Sequence, residues 1–159
     1  MKSNALVLGL GNPILGDDGV GWKVAQAVQA RLADLRSAVE VDFASLGGLS
    51  LMERMLGYQH VILVDCMETG TAPIGSVRSM QLADLADPTA GHSASAHDTS
   101  LITALETALS MNADVPPRVD VVAIEAHTSY DFSEDLSPEI QAAVPAATEQ
   151  VLRLLDLIR

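Results

Sequence analysis

Three residues far apart in the chain carry the chemistry: Asp18, Asp65 and His97. Two carboxylates and an imidazole make a mixed oxygen and nitrogen donor set. Such a set suits a divalent transition ion such as nickel, zinc or iron, with positions left open for water or substrate. No thiolate is included, so the set would hold a free ion only modestly and fits an ion brought by another molecule. Each residue also has an ordinary alternative. Asp18 stands where a helix N-cap is wanted, Asp65 could accept backbone amides, and a lone histidine is commonly a surface or capping residue. Asp65 is the most informative, because it closes the apolar run HVILVD at residues 60–65, where an unpaired carboxylate costs several kcal/mol. Asp17 is expected to tune the charge of the site, while His92, Asp98 and His127 are lesser candidates near its rim.

These positions make sense only on an alternating scaffold. ALVLGL at 5–10 is a continuous apolar run, as in a strand buried on both faces, and Gly11-Asn12-Pro13 ends it. Val20, Val24, Val28 and Leu32 recur every fourth residue and predict a helix from about Gly19, with Asp18 available to cap it. The pattern then repeats, with a strand at 39–44, a helix presenting Leu49, Met52 and Leu56, and a buried strand at 60–66. Turn residues at 70–73 predict a neighbouring antiparallel strand at 76–81. Residues 86–96 read as the longest loop, followed by a helix from about Asp98 or Thr99 and a last strand at 118–124. Ser137-Pro138 opens a final helix that Pro145 should kink, with Ile140, Val144, Val151, Leu155 and Ile158 toward the core. The expectation is one α/β domain over 1–159, a mostly parallel mixed sheet with helices on both faces. In such sheets ligands bind beyond the carboxyl ends of the strands, where Asp18, Asp65 and His97 all map. By strand alternation Cys66 should point away from Asp65 and be buried.

Composition narrows the partners. A formal net charge of -12 disfavours nucleic acid and anionic membranes. The sole cysteine, Cys66, is compatible with a reducing compartment, so a cytoplasmic location is expected. The short apolar start is broken by Asn12, Asp17 and Asp18 too soon for a signal peptide or a membrane span. GxSxG and HExxH are both absent, which disfavours a triad protease and a zincin.

GLGNPILGDDGVG at 9–21, VILVDCMETG at 61–70, HDTSLITAL at 97–105 and DLSPEIQAAVPAATEQVL at 135–152 together resemble the nickel-iron hydrogenase maturation endopeptidases. The resemblance implies a three-layer αβα sandwich around a mostly parallel, mixed five-stranded sheet. It also implies removal of a C-terminal extension from the hydrogenase large-subunit precursor after nickel insertion, by a peptidase traditionally grouped with the aspartic type. The family's metal-recognising positions fall on Asp18, Asp65 and His97, with Asp18 and Asp65 as the catalytic candidates. Nickel would arrive with the substrate, other divalent ions could substitute, and a monomeric free form is compatible with this. Departures from the pattern are Cys66 for alanine, and Ala123 and Ala126 for glycine and proline. GLGNP also resembles the opening of peptidyl-tRNA hydrolases, but two aspartates follow it where a histidine is wanted. A dinucleotide-binding turn lacks its third glycine, since Ile14 stands there. The remaining alternative is a metal-checking scaffold that binds the precursor without cutting it.

Overall fold

Two apolar runs become neighbouring central strands. β1 (Ala5–Leu10) and β3 (His60–Met67) pair in parallel from Ala5–His60 to Gly9–Val64. The computed structural model is described for residues 3–35, 37–45, 47–85, 96–127 and 131–157, with backbone alone for 96–99. β2 (Glu40–Ala44) flanks β1, β5 (Arg118–Glu125) flanks β3, and both pairings are parallel. β4 (Val77–Gln81) closes the other edge antiparallel to β5, giving the order β2-β1-β3-β5-β4. The strand anticipated at 76–81 thus lies beside β5, a strand that comes later in the chain, while β5 separates it from β3.

The helices are α1 (Val20–Leu35), α2 (Gly48–Met55), α3 (Leu82–Leu85), α4 (Ala96–Ser110) and α5 (Pro138–Leu154). Alternation along the strands sorts them into two layers. Leu6, Leu8, Val61, Leu63 and Val121 pack with Leu51, Met55, Leu85 and Leu101 from α2, α3 and α4. Val7, Ile62, Val64, Val122 and Ile124 pack with Val24 and Val28 of α1 and Ile140 and Val151 of α5. This is the expected three-layer α/β sandwich. No helix among the described residues is long and apolar enough to cross a membrane.

Local expectations fail where neighbours decide. α2 buries Leu51, Met52 and Met55 and packs Leu56 partly buried against the same core, so Met52 and Leu56 face inward as expected while Leu49 is 61% exposed. The short α3, which brings Leu82 and Leu85 into the core, carries too few residues for a periodic signal. α4 begins at Ala96, about a turn ahead of the capping residues that suggested its start. α5 is continuous through Pro145, which is compatible with the expected kink, and Pro145 lies on the exposed face with Gln141 one turn before it, so water can satisfy the carbonyl that proline leaves unbonded. Leu155 packs partly buried against the α1–α5 core, whereas Ile158 and residues 86–95, most of the stretch the sequence reads as a loop, lie outside the described residues.

The contact that fixes this arrangement is the first turn of α1 on the sheet. A Cβ placed on Gly21 would stand 2.3 Å from the Val64 carbonyl oxygen and 2.4 Å from that of Leu10. The helix backbone therefore lies directly on β1 and β3. Gly21→Ala should destabilise the fold by about 2 kcal/mol or more in urea unfolding, because overpacking against two strand carbonyls outweighs the roughly 1 kcal/mol that alanine gains in a helix. A stabilised variant would show that the helix can lift without cost.

Candidate functional site

The loop from β1 to α1 turns back on itself around Asp18. Gly11 has φ +115, and a Cβ there would sit 1.9 Å from the Asp18 carbonyl oxygen, so only glycine fits. Asn12 N–H donates to Asp18 Oδ2 at 2.8 Å, and Asn12 Oδ1 accepts the Ile14 amide at 3.2 Å. Residues Gly16–Gly19 then make one 3-10 turn that runs into α1. Asp18 thus fixes the loop that carries it, where the sequence suggested a cap for the helix.

Asp17 has a stronger structural role than charge tuning. Its Oδ1 accepts the Ser137 amide at 2.7 Å and its Oδ2 accepts the Ser137 hydroxyl at 2.8 Å. Ser137 occupies the N-cap position of α5 as expected, but its hydroxyl makes no cap bond to that helix. The Asp17 carboxylate instead stands at the helix N-terminus, where the macrodipole favours negative charge. A parallel bridge between Leu15 and Ser133 adds a second tie between the same segments.

Asp65 lies one residue beyond Val64, the last β3 residue in register with β1, and its Oδ1 accepts the Cys66 amide at 2.8 Å. Alternation turns Asp65 toward the α2–α4 side and Cys66 toward α1, as expected. Cys66 Sγ approaches Asp18 Oδ1 at 4.0 Å, which links the two candidate carboxylates through one residue. Burial pushes the Cys66 thiol well above its ordinary range, and the charges of Asp65, Asp18, Asp17 and Glu68 push it further the same way. Four carboxylates therefore act on one neutral sulfur.

His97 lies in the first turn of α4. Its side chain and that of Asp98 fall outside the described residues, as does His92. The backbone around it can still be located. A Cβ on Gly48, at the start of α2, would come 2.6 Å from Ser100 Oγ, so the beginnings of α2 and α4 touch where the chain has just left β2. The first turn of α4 thus stands at the same carboxyl edge as Asp18 and Asp65. Among the described residues, to which the His97 side chain does not belong, no three His, Cys, Asp or Glu side chains form a metal-holding group. His127 follows β5 at this edge, exposed, with Nδ1 3.4 Å from Glu68 Oε1.

Glu125 was overlooked in the sequence, although it ends RVDVVAIE much as Asp65 ends HVILVD. It is 2% exposed, accepts the Thr69 amide at 2.8 Å and the Thr69 hydroxyl, and has Arg78 at 3.8 Å. Burial alone would raise its carboxyl, but the Thr69 hydroxyl and amide, Arg78 and the Ala72 amide together hold it below the usual range. Glu125 so anchors the 68–76 loop, which walls a cavity of about 260 Å³ with Ala126 and His127.

The family model for hydrogenase maturation proteases matches residues 22–154. The chain belongs to the hydrogenase maturation protease family. The match takes in Asp65 and His97 and starts just after Asp18. Over 151 residues the chain is 28% identical to the hydrogenase 2 maturation protease of Escherichia coli K12, covering 94% of this chain and 89% of that one. It is 25% identical to the hydrogenase expression/formation protein HupD of Rhizobium leguminosarum bv. viciae, covering 94% and 73%. The fold is similar to that of the hydrogenase maturating endopeptidase HybD of E. coli, with a TM-score of 0.76 at 23% identity over 98% and 93% of the chains. A hydrogenase 2 maturation peptidase from a Thaumarchaeota archaeon gives 0.66 at 27% identity over 98% and 99%.

Two expectations follow for this maturation-protease chain. In a double-mutant cycle, Asp17→Ala and Ser137→Ala should each destabilise, with a coupling energy of about 1.5–3 kcal/mol, as for hydrogen bonds to a charged group. Independent, additive losses would contradict the Asp17–Ser137 tie. In the folded protein at pH 9, Cys66 should be alkylated by iodoacetamide at a small fraction of its rate in denaturant, since the thiolate is the nucleophile and folding suppresses it. Equal rates in the two states would mean that neither burial nor the carboxylates hold the thiol protonated.

Proposed function

We propose that this chain is the endopeptidase that removes the C-terminal extension of a nickel-iron hydrogenase large-subunit precursor once nickel has been inserted. The observation that carries the reading is a pair of carboxylates, Asp18 and Asp65, at the carboxyl ends of adjacent central strands in a chain of this family. Each has one oxygen oriented by a backbone amide, Asn12 for Asp18 and Cys66 for Asp65. In this reading nickel is part of the substrate, and Asp18, Asp65 and His97 enter its open coordination positions. Oxygen and imidazole donors fit that borderline ion, and without a thiolate they make a modest site for a free one. Docking of the ion brings the scissile peptide against the acidic edge. A water molecule adds to the peptide carbonyl while Asp18 or Asp65 takes its proton, and the leaving amine departs with a proton. The setting is the cytoplasm, and a monomer suffices.

The test uses separately prepared nickel-loaded and nickel-free precursor. The protein is treated with chelator, freed of it and mixed with each. Cutting should be undiminished with the loaded precursor and absent with the nickel-free one. Asp65→Ala should abolish cutting with the thermal midpoint retained. Activity that returns only when metal is restored to the protein would replace substrate-borne nickel with a protein-held ion. Tight binding of the precursor without any cutting would favour the scaffold instead.

A further inference from the structure

A protease that acts once on a folded precursor must grip it outside the scissile bond, and this inference rests on the function proposed above. Phe132 is 84% exposed and Ile14 46% exposed. They are not scattered singly. The Leu15–Ser133 bridge is parallel, Ser133 N–H donates to the Ile14 carbonyl at 2.9 Å, and Gly16 N–H donates to the Ser133 carbonyl at 2.8 Å. The bridge brings the backbones at Ile14 and Phe132 next to each other, and both side chains are exposed. Exposed Asp131, Glu134 and Asp135 flank Phe132 in the chain. Neither 3–22 nor 131–152 contains a lysine or arginine. The ribbon is also tied to the turn bearing Asp18, through the Asp17–Ser137 bonds at 2.7 and 2.8 Å.

We propose that Ile14 and Phe132 form the docking surface for a segment of the hydrogenase precursor that presents an apolar side chain flanked by lysine or arginine. The apolar pair supplies buried area, and the acidic neighbours select basic flanks and reject acidic ones. Because the ribbon is fastened to the Asp18 turn, a segment held here meets the carboxylates at a set distance. The surface therefore governs affinity and register, while the chemical step belongs to the carboxylates.

The experiment combines equilibrium titration of fluorescently labelled, nickel-loaded precursor with steady-state cleavage, using the full chain. Phe132→Ser should weaken binding and raise KM about tenfold with kcat retained, as for an exposed anchor residue. The Glu134→Lys, Asp135→Lys double variant should also raise KM, and wild-type affinity should fall as salt rises. Met111→Ser, at a 75% exposed residue beyond the far end of α4, should change neither value. Wild-type affinity and KM in Phe132→Ser would overturn the docking surface, as would an effect confined to self-association of the protein in sedimentation. A wild-type protein that binds precursor through Phe132 yet leaves it uncut would keep the surface and remove the protease reading.

Discussion

The backbone-to-backbone contact between the first turn of α1 and the carboxyl ends of β1 and β3 sets the position of everything else at this edge. A Cβ on Gly21 would lie 2.3 and 2.4 Å from two strand carbonyl oxygens, and one on Gly9 would lie 2.5 Å from the Gly21 carbonyl oxygen. With no side chain between them, helix and sheet approach more closely than ordinary side-chain packing allows. The loop joining them must then reverse within a few residues, which forces Gly11 to a positive φ and presses Asp18 back against Asn12. One steric constraint thus determines where a carboxylate can stand, and the 3-10 turn at Gly16–Gly19 is its geometric consequence.

That constraint gathers several carboxylates at one edge of the sheet. Asp17, Asp18, Asp65 and Glu68 all act on Cys66 Sγ, so they lie within mutual influence at an edge of a chain already at -12. Asp17 is relieved by Ser137 and by the start of α5, while Asp18 and Asp65 each receive a backbone amide. Those donors orient carboxylates without neutralising them. Burial of Cys66 contributes by keeping a potential fifth negative charge protonated. Under the proposed function, an arriving cation meets this acidic edge, and the acidic field draws basic substrate segments toward the same place.

Much of this was legible in the sequence, and the failures share a cause. β1, β3, β5 and the inner face of α1 were readable because continuous apolar runs and a four-residue repeat report burial directly. Asp65 stood out as a charge ending such a run. The roles of Asp17 and Ser137 were hidden because their bonds join positions 120 residues apart, and each residue looked locally like an ordinary helix-start residue. Glu125 closes an apolar run as Asp65 does, but what gives it a role is its bonding to Thr69 and Arg78, 56 and 47 residues earlier in the chain. Leu49 misled because periodicity in an eight-residue helix fixes its face poorly. In each case a local rule was right about the element and silent about the partner.

The three proposed metal-recognising positions come from the three layers of the sandwich. Asp18 precedes the α1 side, Asp65 belongs to the sheet, and His97 opens α4 in the opposite layer. Two are set on the most constrained backbone in the molecule, by glycine contacts and amide bonds. The third opens a helix that rests on the sheet through apolar side chains such as Leu101 and meets α2 at Ser100 and Gly48. An ion that engaged all three would therefore couple layers otherwise joined by apolar packing, which is non-directional and tolerates small shifts more readily than coordination does. Under the proposed function, an ion delivered by the substrate makes that coupling conditional on a loaded precursor. The fold would then discriminate between precursors through the cost of aligning α4 with an already fixed pair of carboxylates.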